Sequence, residues 1–207
     1  MKKITIVDYG SGNVLSAQKS FVKIAKDNNI EADVLISKKL NDVKDSTHIV
    51  LPGQGAFSTC MNGLKKTDGL IDELCEFALI KKKPFLGICV GMQMLANMSE
   101  ENGAHEGLGW IDGQIKLLSG DNLKLPHMGW NLAIPTNPKY NNLISSKNDY
   151  YFVHSYYFDC AQKDNILAET KYGTNFASIV GKENIYGVQF HPEKSSSQGL
   201  NLQKEFI

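Results

Sequence analysis

The sequence contains no arginine: all 22 of its basic residues are lysine. Without guanidinium groups there is no planar fork for an anion, so any anion must be held by lysine, backbone amides or neutral side chains. We read this bias as compositional drift and not as function. Neither sign of charge is in excess, because 22 acidic residues cancel the lysines. That removes the electrostatic footprint of a sequence-blind nucleic-acid binder. The apolar runs fall well short of the roughly 18 residues a membrane span needs. The start, Met1 to Asp8, enters an apolar run too short for a signal peptide and has no small-residue cleavage site. Cysteine is sparse. Cys60, Cys75, Cys89 and Cys160 are too widely spaced for CxxC chemistry, and with no export signal they point to free thiols in a reducing cytoplasm. His48, His105, His127 and His154 show no metal-ligand spacing such as HExxH, so no metal site is expected.

What is present is an ordinary globular composition. At 207 residues and 42 % apolar, the chain can bury a core without disulfides or a structural metal. The first half alternates strand and helix. Ile4–Val7 is a short β-rich run that ends in the turn cluster Asp8 to Asn13. Val14, Ala17, Phe21, Ile24 and Ala25 recur at helical spacing and predict an amphipathic helix over 14–27. Ala32–Ile36 and Ile49–Leu51 read as buried strands. Leu70, Ile71, Leu74, Cys75, Ala78 and Leu79 mark a second helix, stopped at Lys81-Lys82-Lys83-Pro84. Phe85–Ile88 is a buried strand, followed by helix-compatible Met92–Ala96. Such alternation predicts an open parallel sheet covered on both faces.

The second half is strand-like at Trp110–Leu118, Met128–Ile134, Tyr150–Phe158, Ile166–Tyr172, Phe176–Val180 and Ile185–Phe190, with some of these expected as antiparallel additions. A helix from Leu200 closes the chain. With no repeat, linker or composition break, residues 1–207 are expected to form one α/β domain, with a mostly parallel central sheet, flanking helices and added antiparallel strands.

Three stretches carry chemistry. Gly87-Ile88-Cys89-Val90-Gly91 lies between a buried strand and a helix. Its glycine spacing is that of a nucleophile elbow with cysteine as nucleophile, where the sharp turn leaves no room for side chains two residues either side. The turn lifts the sulfur clear of the sheet and sets it at a helix N-terminus, where the dipole favours an anion. The other three cysteines lack this setting and read as structural. His191-Pro192-Glu193 follows the apolar strand Tyr186–Phe190. A carboxylate two residues from an imidazole can orient it and stabilise its charged form, and an extended backbone held by proline would point both the same way. The order Cys, His, acid differs from the α/β-hydrolases, where the acid precedes the histidine. Finally, Leu51-Pro52-Gly53-Gln54-Gly55-Ala56-Phe57 follows a buried strand, and its two glycines allow a turn that aims N–H groups at a developing oxyanion. The cluster Asp8-Tyr9-Gly10-Ser11-Gly12-Asn13 fits neither GxGxxG nor the P-loop and is not read as a phosphate cradle.

Elbow, PGxG loop and FHPE strand, in that order, resemble the class I glutamine amidotransferases with a Cys-His-Glu triad. The finer resemblance is to the glutaminase subunits of imidazole glycerol phosphate synthases. It is carried by DYGSGN at 8–13, LPGQGAF at 51–57, GICVGMQML at 87–95, EGLGWIDG at 106–113, PHMGWN at 126–131, YFVHSY at 151–156 and GVQFHPEKSS at 187–196, from end to end of the chain.

The resemblance implies that Cys89 attacks the side-chain amide of glutamine, that His191 relays protons and that Glu193 holds His191. Gly53, Gln54 and Gly55 would form the oxyanion loop. Gln93, one helical turn after Cys89, would help bind glutamine; Glu101 would meet its α-amino group, and the Ser155–Tyr156 backbone would grip its other end. Asn13, Trp130, Tyr151 and Lys194 match positions at the partner interface or ammonia path. The implied partner is a (β/α)₈-barrel cyclase subunit in a heterodimer, which receives the ammonia in histidine biosynthesis. No cofactor, nucleic acid or membrane is implied. One departure stands out: the family loop usually reads PGVG, and here Gln54 replaces valine. Two other readings stay open. One is a paralogous amidotransferase subunit serving another acceptor, as in surface-sugar synthesis. The other is a non-catalytic regulatory partner of a barrel protein, for which an intact Cys89, His191 and Glu193 would have no use.

Overall fold

The computed structural model describes residues 1–136 and 146–207. In chain order the elements are β1 (Lys2–Val7), α1 (Val14–Asp27), β2 (Ala32–Ser37), α2 (Leu40–Asp45), β3 (His48–Gly53), α3 (Phe57–Lys65) and α4 (Leu70–Cys75). A π-helical turn, Glu76–Ile80, leads to β4 (Phe85–Cys89) and α5 (Val90–Gln93). Then come β5 (Met98–Ser99), β6 (His105–Glu106), β7 (Gly113–Leu117), β8 (His127–Pro135), β9 (Asn148–His154), β10 (Tyr156–Cys160), β11 (Ile166–Tyr172), β12 (Thr174–Lys182), β13 (Ile185–Val188) and α6 (Ser196–Phe206).

The centre is a parallel block in the order β2-β1-β3-β4-β13. β3 and β4 are buried at every position, which explains why they read as continuous apolar runs and not as alternating ones. β12 joins β13 antiparallel, and β10, β7, β5 and β6 extend that side. β11 pairs with β12 and passes the sheet on to β8 and β9. The mostly parallel centre with antiparallel additions is the architecture the alternation predicted.

Helix α1 matches its predicted span. Ala17, Phe21, Ile24 and Ala25 are buried, and the Asn13 side chain caps the start by accepting from the Ser16 N–H at 3.4 Å. Each fully buried Phe or Ile stabilises by about 1.5–3 kcal/mol.

Several expectations needed correction. Helices α2 and α3 were not anticipated. α3 buries Phe57, Cys60, Met61 and Leu64 at helical spacing, but the adjoining Pro-Gly-Gln-Gly turn and Gly63 mask the pattern. The expected strand Tyr150–Phe158 is two strands, broken by a bend at Ser155. β9 then pairs with β8, whereas β10 joins β7. Trp110 and Ile111 are buried in a turn before β7 and not in it, and Phe190 lies past the end of β13. The expected helix at Met92–Ala96 is the short α5 running into turns. α6 starts at Ser196, ahead of Leu200.

The tightest packing lies where β3, β4 and α5 meet. A Cβ on Gly91 would stand 1.8 Å from the Leu51 carbonyl oxygen, and one on Gly87 would stand 2.5 Å from the Gly91 oxygen. Gly53 has the same problem, 2.5 Å from the Gly91 nitrogen. These neighbours are backbone atoms of buried elements and have nowhere to go. Gly91→Ala should therefore cost at least about 3 kcal/mol, the upper end of ordinary overpacking. Urea unfolding followed by circular dichroism checks this; a change under about 1 kcal/mol would mean that β3 and α5 can part.

Candidate active site

Cys89 ends β4 and has φ +56° and ψ −114°, a left-handed conformation that a non-glycine residue adopts at a cost. The turn sets the side chain at the head of α5, only 4 % exposed. The Cys89 thiol reaches the Val153 carbonyl at 4.0 Å, and the Gln189 amide donates to the sulfur from 3.8 Å. The nucleophile elbow expected from the sequence is thus present in its backbone.

His191 lies beside it. Its Nδ1 is 3.0 Å from Glu193 Oε1, and both side chains are buried. The route differs from the expected one. Pro192–Lys194 is a 3₁₀ turn, not extended chain, so the carboxylate reaches back across a turn. His191 Nε2 is buried without a partner in hydrogen-bond geometry among the described residues. Burial alone would lower the pKa of His191. The neighbouring Cys89 and the Glu193 carboxylate outweigh burial and raise it to about 10, so the site favours an imidazolium. Ser195 anchors the pair: its buried hydroxyl donates to the His191 carbonyl at 2.6 Å and accepts from the Tyr151 N–H at 3.0 Å. The His191 N–H donates to the Tyr151 carbonyl at 2.9 Å.

Cys89 and His191 open on a cavity of about 330 Å³, which Gln54, Gly55, Gln93, Glu101, Ser155, Tyr156 and Lys194 also line. Gly53 stands behind this wall against α5. The Gln93 side chain is buried and cross-links the wall, donating to the Tyr156 carbonyl at 3.0 Å and to Gln189 Oε1 at 3.1 Å. One carboxylate oxygen of Glu101 accepts from the Phe57 N–H at 2.7 Å, the head of α3. Glu101 therefore ties the cavity to the helix that follows the PGQG loop.

The loop is held from the other side by the 8–13 cluster. The Tyr9 hydroxyl donates to the Pro52 carbonyl and the Ser11 hydroxyl to the Gln54 carbonyl, each at 2.6 Å. Burial pushes the Tyr9 phenol far above its ordinary pKa, so it stays a donor. Cys60 Sγ lies 3.2 Å from Ser11 Oγ and 3.4 Å from the Gln54 carbonyl. The Gln54 side chain itself is exposed.

Of the residues expected to face a partner, Trp130 is 55 % exposed and meets the half-buried Tyr151 edge to face, ring centroids 6.1 Å apart. Trp130 is therefore a surface residue, not part of the core. Lys194 is exposed at the cavity, and the Asn13 side chain caps α1.

The family model for class I glutamine amidotransferases matches residues 5–207. The chain belongs to that family. Among curated relatives, the imidazole glycerol phosphate synthase subunit HisH of Rhodospirillum rubrum is 42 % identical over 209 residues, covering 99 % of this chain and 98 % of the relative. The protein of the same name from Pelagibacter ubique is 45 % identical over 207 residues with the same coverage. The subunit HisH 2 of Methanococcus maripaludis is 45 % identical over 206 residues, again covering 99 % and 98 %. A solved glutamine amidotransferase superposes with a TM-score of 0.72 at 16 % identity, covering 98 % of this chain and 96 % of the other. A second, from Thermotoga maritima, gives 0.62 at 19 % identity, covering 95 % and 78 %. These two share the fold.

Sequence reasoning missed Tyr9, Ser11, Gln189, Ser195, His127 and His154 around this amidotransferase site. Tyr9 and Ser11 act on carbonyls of a loop 43 residues away, and no local spacing signals such a contact. Among the described residues no three metal-binding side chains cluster, and no helix is long and apolar enough to cross a membrane.

The buried histidines give a pH prediction. Burial, aided by Lys2, lowers His48 to about 4, and burial lowers His127 to about 4. Burial lowers His154 to about 3, with His127 and His191 adding and the Tyr156 carbonyl opposing. Unfolded, the three take up protons near the ordinary value of about 6.5; folded, they refuse them until the pH is far lower. In that window the unfolded chain binds more protons, so stability falls as the pH falls. His191 acts in a different window. Its contribution is complete below about 6.5 and is lost as the pH rises toward about 10. The urea midpoint should therefore be lower at pH 5 than at pH 6.5; an unchanged midpoint would contradict neutral burial of these rings.

Proposed function

We propose that this chain is the glutaminase subunit of an imidazole glycerol phosphate synthase, acting in histidine biosynthesis as one glutaminase domain over residues 1–207. The observation that carries this reading is that Cys89, His191, Gln93, Glu101 and the Ser155–Tyr156 bend, from distant parts of the chain, line one cavity. The near full-length likeness to subunits of that name supports it.

In this reading glutamine enters with its side-chain amide over Cys89. Sulfur attacks the amide carbon, and the carbonyl oxygen becomes an oxyanion. Val90, in the first turn of α5, has an N–H without an intrahelical acceptor, and the PGQG loop supplies a second N–H. His191 gives its proton to the leaving nitrogen, ammonia departs, and a glutamyl thioester remains. Water, deprotonated by His191, then cleaves the thioester, releasing glutamate and restoring the Cys89 thiol. Glu193 keeps the imidazole oriented and stabilises its charged form. Ammonia passes to the partner, a (β/α)₈-barrel cyclase, which docks on the face of Trp130, Tyr151 and Lys194. Enclosure matters because ammonia released to neutral water is mostly protonated and no longer a nucleophile.

Glutamate release from glutamine tests this. The chain alone should be slow, and the complex with the barrel cyclase and its nucleotide ligand much faster. A fast chain indifferent to that cyclase would point to another acceptor. In the complex, Cys89→Ala should lower glutamine-dependent turnover at least about a thousand-fold while synthesis from added ammonium salt survives. Glutamine hydrolysis persisting in Cys89→Ala would refute the nucleophile. Because the Gln54 side chain is exposed on the loop whose N–H is needed, Gln54→Val should change the basal glutaminase rate without abolishing the coupled reaction. Equal basal rates would assign that side chain to solvent.

A further inference from the structure

Two histidines that take no part in this chemistry stand at the cavity: His154 lines its wall, and His127 packs behind His154. His127 opens β8 and His154 closes β9, directly opposite one another in the strand pairing. Both are buried, with His127 Nδ1 3.0 Å from His154 Nε2. His154 Nδ1 is 2.8 Å from the Tyr156 carbonyl, and the Asn131 amide nitrogen is 3.1 Å from His127 Nε2.

The two ends of this chain fix every proton in it. A carbonyl only accepts, so His154 Nδ1 carries a hydrogen. A neutral His154 then accepts at Nε2, so His127 donates from Nδ1 and accepts at Nε2. Asn131 matches that demand, and its orientation is set independently: its oxygen accepts from the Leu132 N–H at 2.8 Å and its nitrogen also donates to the Lys171 carbonyl at 3.1 Å. A proton on either ring would set two donors face to face. The His127 ring cannot turn away, because it is stacked on Tyr172 and Phe152 at centroid distances of 4.0 and 4.9 Å.

The Tyr156 carbonyl is also the acceptor for Gln93, and Gln93 in turn holds Gln189, whose amide reaches the Cys89 sulfur. Donors from two sides thus converge on the Tyr156 carbonyl, His154 from the β8–β9 side and Gln93 from α5, and Gln93 continues through Gln189 to the sulfur.

We propose that His127 and His154 are positioning residues of the glutamine site: locked as neutral imidazoles in one tautomer, they set the Tyr156 carbonyl, the Ser155–Tyr156 bend and Gln93. This rests on the glutaminase reading for its kinetic consequence, but not for its tautomer assignment. Both ring nitrogens of each histidine are already engaged within this network, which leaves none for glutamine. Its loss should act on KM through the wall.

Two measurements test it. In the complex with the barrel cyclase and its nucleotide ligand, His127→Phe keeps a stacked ring and removes the donor. His127→Asn returns an N–H where Nδ1 stood. Loss of one buried hydrogen bond predicts that His127→Phe raises the KM for glutamine about tenfold with kcat changed less than about threefold, and that His127→Asn recovers most of it. An unchanged KM in His127→Phe, or an equal rise in both variants, would overturn the proposal. The second needs no variant. Nitrogen chemical shifts of the wild-type rings at pH 7 should show both residues neutral with the proton on Nδ1. A cationic ring, or a proton on Nε2 of either, would overturn it. No glutamate from the wild-type complex would defeat the glutaminase reading and leave the ring assignment to be decided by the shifts.

Discussion

The site depends on one packing constraint: β3, β4 and α5 approach so closely that no Cβ fits at Gly53, Gly87 or Gly91. That approach forces the chain to turn sharply at Cys89, and the turn is made at positive φ by the residue between the glycines. A cysteine held there has little conformational freedom left. Its sulfur is presented over the ends of the parallel strands, where ligands gather in open α/β sheets. The strain is sustained because buried β3 and β4 lie beneath it.

Around the elbow, the remaining parts are held by hydrogen bonds between distant segments. Tyr9 and Ser11 hold the carbonyls at 52 and 54, while Glu101 holds the N–H at 57, so the PGQG loop is gripped at both ends. Ser195 joins the backbones of Tyr151 and His191. The ring of Tyr151 packs against Trp130. Surface aromatic and buried imidazole are therefore the two ends of one short series of contacts.

The legible parts of the sequence were those with local signals. The parallel strands announced themselves as short apolar runs, α1 by its periodicity, and the elbow by two glycines flanking a cysteine. The His191–Glu193 contact was also anticipated, but from an extended segment, where the chain in fact makes a 3₁₀ turn. Spacing of two allows contact by either route, and the sequence does not distinguish them. α3 was hidden by glycine and proline nearby, and the break at Ser155 was hidden because β9 and β10 have one continuous strand-like composition. Tyr9, Ser11 and the His127–His154 pair were invisible for another reason: their partners are set by tertiary packing, and each residue alone looks ordinary.

Cys89, alone among the four cysteines, is the nucleophile we propose toward glutamine. Cys60 is also fully buried, while Cys75 and Cys160 are half-buried and burial raises their thiols above the ordinary range. The most direct measurement is mass-spectrometric mapping after reaction with a glutamine analogue carrying a chloroketone in place of the amide, in the complex with the proposed partner subunit. One adduct per chain is expected, on the peptide containing Cys89, and excess glutamine should suppress it. An adduct on Cys60, Cys75 or Cys160, or labelling of Cys89 that glutamine does not suppress, would contradict it.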